Sequence, residues 1–309
     1  MAVHAHWWTV VPHFVALMQG RPLGGAIRWR GRAADGVPLS GALHLGRQPG
    51  VLVVVVHGLG GDEGRPYVLR LAREVLARGA SVLRLNLRGA DLETHAFYHA
   101  GLTADLHAVL ESPALRDFEV VHFIGFSLGG HLTARLASEP CDPRVGRLVG
   151  LCPPLDLGVC QRHLDHPSRW LYRENLLIGL RAAYQAAAAR GPMPTPWPIV
   201  RRVTRFYDWD HLTVVPHFGF GTNERYYAET AAGPRLPFVH KPLLLLGVLD
   251  DPVVPWASVE PWLQGASPWV SVRTLRTGGH GYFPIDTHLG LAEEAGIDRQ
   301  IVQWLLGAP

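Results

Sequence analysis

The stretch that most restricts the fold is VLVVVVH, residues 51–57. Five of its seven residues are valine, and no polar residue alternates with them. A strand with one wet face would alternate, so this one is buried on both faces, as in the interior of a parallel sheet. Parallel strands need a crossover between them, usually a helix. The next segment supplies one: residues 65–79 place Val68, Ala72, Val75 and Leu76 on one helical face and end at Gly79.

The same alternation continues along the chain. SVLRLNL is the next strand, and TADLHAVL a short helix with Thr103 as its expected cap. EVVHFIG, residues 119–125, is a strand, and residues 128–139 form a helix stopped by Pro140. GRLVGLC is a further strand. Ahead of all these, AIRWRGR and PLSGALHL flank AADGV, where Asp35-Gly36 reads as a hairpin turn. The alternation resumes at KPLLLLGVL, residues 241–249, followed by a helix, then the strand WVSVRTLR and a final helix over about 291–306. The expected fold class is α/β, a doubly wound, mostly parallel sheet flanked by helices.

Between these halves, residues 156–225 break the pattern. They hold helical pieces such as RENLLIGLRAAYQAAAAR, then the proline-rich GPMPTPWP, and many aromatics, among them Trp170, Tyr172, Trp197, Phe206 and Trp209. The expected organisation is one domain over residues 1–309 with a helical lid inserted at 156–225. A chain of 309 residues, 48% hydrophobic, can build a core of that size.

Composition excludes some functions. The formal charge is +3, carried by scattered arginines and one lysine, with no basic tract, so nucleic acid is not an expected partner. Cys141, Cys152 and Cys160 are few, odd in number and not spaced for a metal, which fits a reducing compartment. His163 and His166, and likewise His95 and His99, lack the neighbouring ligands that zinc needs. The first residues make a poor signal peptide, and no apolar run approaches the ~20 residues of a membrane span. The expected location is cytoplasmic, with the Trp7–Trp8 region as the candidate for peripheral membrane contact.

The chemistry is concentrated in GFSLG, Gly125 to Gly129. It fits G-x-S-x-G between a strand and a helix, the context of a nucleophile elbow, in which a tight turn lifts the serine hydroxyl out at the carboxyl end of the sheet. The helix after Ser127 aims free N–H groups at the place where negative charge would develop. A serine needs a base, and the base an orienting carboxylate. In this architecture they follow in the order Ser, Asp, His. Asp250 and Asp251 come just past one strand and His280 just past the next. The loop HGLGGDEG, residues 57–64, follows the buried strand, so the backbone N–H of Leu59 can converge with that of Leu128 as an oxyanion hole, each donor worth ~3 kcal/mol in the barrier. The loop is not a dinucleotide motif, because Glu63 stands where the third glycine should be, and there is no phosphate loop either. No cofactor and no metal are expected.

In these residues the chain resembles the α/β-hydrolase superfamily and, within it, the YheT-like group, bacterial relatives of the ABHD lipid esterases. The resemblance rests on HGLGG at 57–61, LNLRG at 85–89, YHAGLTADL at 98–106, GFSLGG at 125–130, LDDPVVP at 249–255 and GGHGYF at 278–283. FYDWDHLTVVPHFGFGTNERYY resembles a further stretch of the group, but with Trp209 between Asp208 and Asp210 and one residue more from Thr213 to Pro216. The resemblance implies a carboxylic-ester hydrolase for short- to medium-chain acyl substrates, working without a cofactor, with Asp251 as the acid and Asp250 its neighbour. The expected partner is a small acyl ester. Two other readings compete with it: acyl transfer to an alcohol, and a relative that binds ligand without turnover.

Overall fold

A computed structural model describes residues 5–11, 23–140 and 142–307. Its centre is an eight-stranded sheet in the order β1-β2-β4-β3-β5-β6-β7-β8. The strands are β1 (Ile27–Arg32), β2 (Pro38–His44), β3 (Val51–Val56), β4 (Ser81–Asn86), β5 (Val120–Phe126), β6 (Val145–Leu151), β7 (Leu243–Val248) and β8 (Val270–Leu275). β1 and β2 form an antiparallel hairpin, with Gly36 at φ +83° in its turn, and β2 pairs antiparallel with β4. Every other pairing is parallel.

The valine run behaves as its composition demands. β3 lies between β4 and β5, with Val54 opposite both Leu83 and Phe123. Val53 and Val55 pack on one side with Val68, Leu71, Ala72 and Val75 of helix α2 (Pro66–Ala77) and with Ile301, Val302 and Leu305 of the C-terminal helix Ile297–Leu306. Leu52, Val54 and Val56 face the other side, with Leu106 and Val109 of α3 (Ala104–Leu110) and Leu132 and Leu136 of α4 (Leu128–Leu136). Residues 5–11 are helical and form α1, the first helix among the described residues.

Parallel pairing puts the carboxyl ends of β3, β5, β7 and β8 on one edge. The loops leaving that edge carry Leu59, Ser127, Asp251 and His280, in that order. Two motifs that do no chemistry brace it. Arg88, after β4, donates to Asp105 of α3 from its backbone N–H (3.0 Å), Nε (2.9 Å) and a terminal nitrogen (2.6 Å), and a second terminal nitrogen reaches Asp35 (2.5 Å).

Between β6 and β7 the chain runs through helices: α5 (Leu157–Asp165), capped by Asp156 accepting from Val159 N–H at 2.9 Å; α6 (Trp170–Ala188); a helical stretch over 206–218; and Asn223–Thr230, capped by Thr222. Residues Asp210–Val214 form a wide π turn within the 206–218 stretch. A π turn absorbs an additional residue into a helix.

Three local expectations are corrected. Thr103 precedes α3 but does not cap it, because its backbone is already helical (φ −66°, ψ −18°) and its hydroxyl cannot reach back to the first free N–H groups. No α-helix lies between β7 and β8; Pro252, Pro255 and Pro261 withhold their N–H groups, and the chain makes only the tight turns Trp256–Ser258 and Glu260–Leu263 there. The final helix begins at Ile297 rather than near residue 291, after Gly296 at φ +97°.

Candidate active site

Ser127 stands between β5 and α4 with φ +48° and ψ −113°, a region that costs a residue with a side chain about 1–3 kcal/mol. Two backbone bonds hold it there: Ser127 N–H to Leu151 O (2.8 Å), and His131 N–H to Ser127 O (2.9 Å). The flanking glycines are required by close approach. A Cβ on Gly125 would lie 2.1 Å from the Gly129 carbonyl carbon, and one on Gly129 would lie 2.5 Å from the Val56 carbonyl oxygen at the end of β3.

Asp251 and His280 are joined. His280 Nδ1 lies 2.8 Å from Asp251 Oδ2. The other carboxylate oxygen accepts from the N–H groups of Val253 (2.8 Å) and Val254 (3.0 Å), so the carboxylate is buried, oriented and bonded at both oxygens. Asp250 is exposed. Of the two aspartates the motif offered, Asp251 is the one that faces the histidine.

Ser127 and His280 line one cavity of about 400 Å³, together with Leu59, Tyr172 and Leu176. Among the described residues no hydrogen bond joins the serine hydroxyl to the imidazole; such contacts commonly tighten only when substrate is bound. A second cavity of about 100 Å³ also reaches Ser127 and Leu59, and is lined by Leu128 and by residues of the helices between β6 and β7.

The loop after β3 is fastened so that one amide is left over. Gly58 N–H donates to Tyr67 Oη (3.0 Å), Gly60 N–H to Tyr98 Oη (2.6 Å) and Gly61 N–H to Gly58 O (3.0 Å). Burial pushes the Tyr67 phenol up to about 12, which keeps it neutral. Among the described residues nothing accepts from Leu59 N–H. Leu128 N–H opens α4, where the first amides have no partner within the helix.

Several contributors were not legible in the sequence. Thr9, in α1, accepts the His280 backbone N–H at its Oγ1 (2.9 Å) and lines the larger cavity. In the same helix Trp7, of the region named above for peripheral membrane contact, is exposed and meets Trp8 edge to face at 4.9 Å. Cys152 follows β6 at φ +47°, and its sulfur lies within 4.8 Å of ligand atoms of Asp251 and His280. Burial and the Asp251 charge push that thiol far up, so it faces the carboxylate as a neutral group. A metal would need the thiolate, and His280 Nδ1 and Asp251 Oδ2 already bond each other. The other histidines flagged by spacing do not converge on a metal: His163 Nε2 meets Pro252 O (3.1 Å), His166 Nδ1 meets Ser168 Oγ (2.8 Å) and His95 Nε2 meets Pro192 O (3.0 Å).

A strand-turn-helix serine, an Asp–His pair and a free amide at one sheet edge define a class of protein, and the comparisons agree with it. The model of the alpha/beta hydrolase family matches residues 53–294. The Escherichia coli protein YheT, named as an esterase, is 30% identical over 261 residues, covering 82% of this chain and 76% of its own. Medium-chain fatty acid ethyl ester synthase/esterase 2 of Saccharomyces cerevisiae is 26% identical, covering 74% of this chain and 57% of its own length. Among solved structures, 2,6-dihydroxy-pseudo-oxynicotine hydrolase superposes with a TM-score of 0.59 at 18% identity, over 91% of this chain and 67% of that one. The Pyrococcus furiosus esterase Pf2001 gives 0.54 at 16%, over 83% and 84%. These two likenesses concern the fold alone. The chain belongs to the α/β-hydrolase family, in its YheT and ABHD group. Among the described residues no helix is long and apolar enough to cross a membrane.

Proposed function

We propose that this chain is a serine carboxylic-ester hydrolase acting on short- to medium-chain acyl esters. The observation that carries the reading is the 2.8 Å Asp251–His280 pair facing a cavity that also holds Ser127 on its strained turn. Ser127 Oγ attacks the ester carbonyl carbon while His280 takes its proton. Asp251 fixes the ring and balances its positive charge. The carbonyl oxygen, now negative, is held by the N–H groups of Leu59 and Leu128. When the tetrahedral intermediate collapses, the C–O bond to the alcohol breaks and His280 gives the alcohol its proton. Water then repeats the sequence on the acyl-enzyme, and the acid leaves. The cycle needs no cofactor. Residues 156–225 act as the lid of a single domain, and the free, buried thiols of Cys152 and Cys160 suit a cytoplasmic location.

One observation favours a second outcome for the same acyl-enzyme. The yeast relative is named as both a synthase and an esterase of fatty acid ethyl esters, so an alcohol can replace water as the acceptor there. Measuring kcat/KM on p-nitrophenyl esters from acetate to palmitate, with and without added ethanol, tests both readings. A maximum at short to medium length, with acid as the main product, supports the hydrolase. Ethyl ester as the main product would make it a transferase. Turnover that rises to the longest chain would contradict the short-chain assignment.

A further inference from the structure

The two cavities at Ser127 are not equivalent. His280 lines only the larger, and Leu128 only the smaller. In ester cleavage the leaving oxygen must lie within reach of the histidine that protonates it. The acyl chain is another substituent of the same tetrahedral carbon and points elsewhere. The alcohol portion therefore belongs in the larger cavity and the acyl chain in the smaller.

The smaller cavity is apolar over most of its wall, with Leu157, Leu164, Leu180, Phe206 and Val214. Yet Asp210 and His99 are also in the wall, and each has a polar atom to spare. Tyr227 Oη donates to Asp210 Oδ2 at 2.8 Å, and among the described residues Asp210 Oδ1 has no partner. His99 Nδ1 accepts from Gly101 N–H at 3.0 Å. Burial, helped by Arg88 and Arg135, pushes His99 down to about 3, so its ring is neutral and its one proton sits on Nε2. That N–H also has no partner among the described residues. Burial pushes the Asp210 carboxyl up to about 7, which favours its uncharged form.

Resting on the ester-hydrolase reading, we propose that the smaller cavity is an acyl site built for a hydroxyacyl chain, with Asp210 and His99 as its specificity-determining residues. A hydroxyl both donates and accepts, so it can meet either His99 Nε2–H or Asp210 Oδ1 in the wall of this cavity. A plain alkyl chain would bury both polar atoms without a partner, which costs affinity. A carboxylate terminus would have no counter-ion there, since no Lys or Arg lines this cavity.

The test compares kcat/KM for p-nitrophenyl 3-hydroxybutanoate, 3-hydroxyhexanoate and 6-hydroxyhexanoate with the plain butanoate and hexanoate. At least one hydroxyacyl ester should exceed its plain counterpart by about fivefold or more. In Asp210→Leu and His99→Phe that ratio should fall towards one, and the wild-type ratio stands as the test even where a variant does not fold. Plain esters turned over at least as fast as every hydroxyacyl partner would overturn the proposal while leaving the esterase intact. No turnover of any ester, with Ser127 also inert, would remove both.

Discussion

The loops at the carboxyl edge of the sheet and the helices between β6 and β7 meet around Ser127, but different forces hold them. At the sheet edge the backbone does the work. Ser127 is tied to Leu151 and His131, Asp251 to Val253 and Val254, and the glycine loop to Tyr67 and Tyr98. In the helices, side chains do it. Phe206, Trp209, Tyr226 and Leu180 pack by area and shape, with the aromatic pair Phe220–Tyr226 among them, and Phe220 also meets His99 of the loop after β4. A hydrogen-bonded turn has few alternatives, and an apolar wall has many. Reactivity should therefore break sharply with single changes at the edge, and selectivity should bend gradually with changes in the helices.

The largest break is expected at Ser127 and His280. Alanine at either should lower kcat by roughly four to six orders of magnitude, and the double variant should be no worse than a single one, because the residues act as a unit. Circular dichroism and melting should show both variants folded. Retention of more than about a tenth of wild-type kcat in either would contradict the triad. Next comes the contrast between neighbours: Asp251→Asn should cost about 10⁴ in kcat, and Asp250→Asn should change it little, since only Asp251 meets His280. The reverse ranking would reassign the acid.

Changes in the helices should act differently. Leu180→Ala widens the smaller cavity and should move the best acyl chain to greater length, at a cost of about 2–5 kcal/mol in stability seen by urea unfolding. An unmoved optimum would place the acyl chain elsewhere. The smallest expected effect is on stability against pH. The Asp210 carboxyl is raised in the folded state to about 7, so its contribution is fully present below the unfolded value of about 4 and is lost as pH rises through about 7. Asp210→Asn should flatten that part of the stability profile; an unchanged slope between pH 4 and 8 would show that Asp210 does not titrate there.

The same division explains what could be read in advance. The valine run, the G-x-S-x-G turn and the strand-end Asp and His are local demands of backbone and burial, and residue order alone exposes them. The choice of Asp251 over Asp250 came from resemblance, and it turns on which carboxylate a turn of Val253 and Val254 points inward. Thr9 could not be found by pattern, because it bonds His280 across 271 residues of sequence. Tyr67, Tyr98 and Cys152 escaped for the same reason: each matters through a neighbour that only the folded sheet edge brings near. The helices between β6 and β7 were legible as helical and aromatic, but not their π turn or the polar pair at Asp210 and Tyr227.

Labelling with a fluorophosphonate probe, followed by peptide mass spectrometry, tests the central claim most directly. The account predicts a single adduct on Ser127, absent in Ser127→Ala and formed far more slowly in His280→Ala. An unlabelled Ser127 in folded protein, or an adduct on another residue, would contradict it.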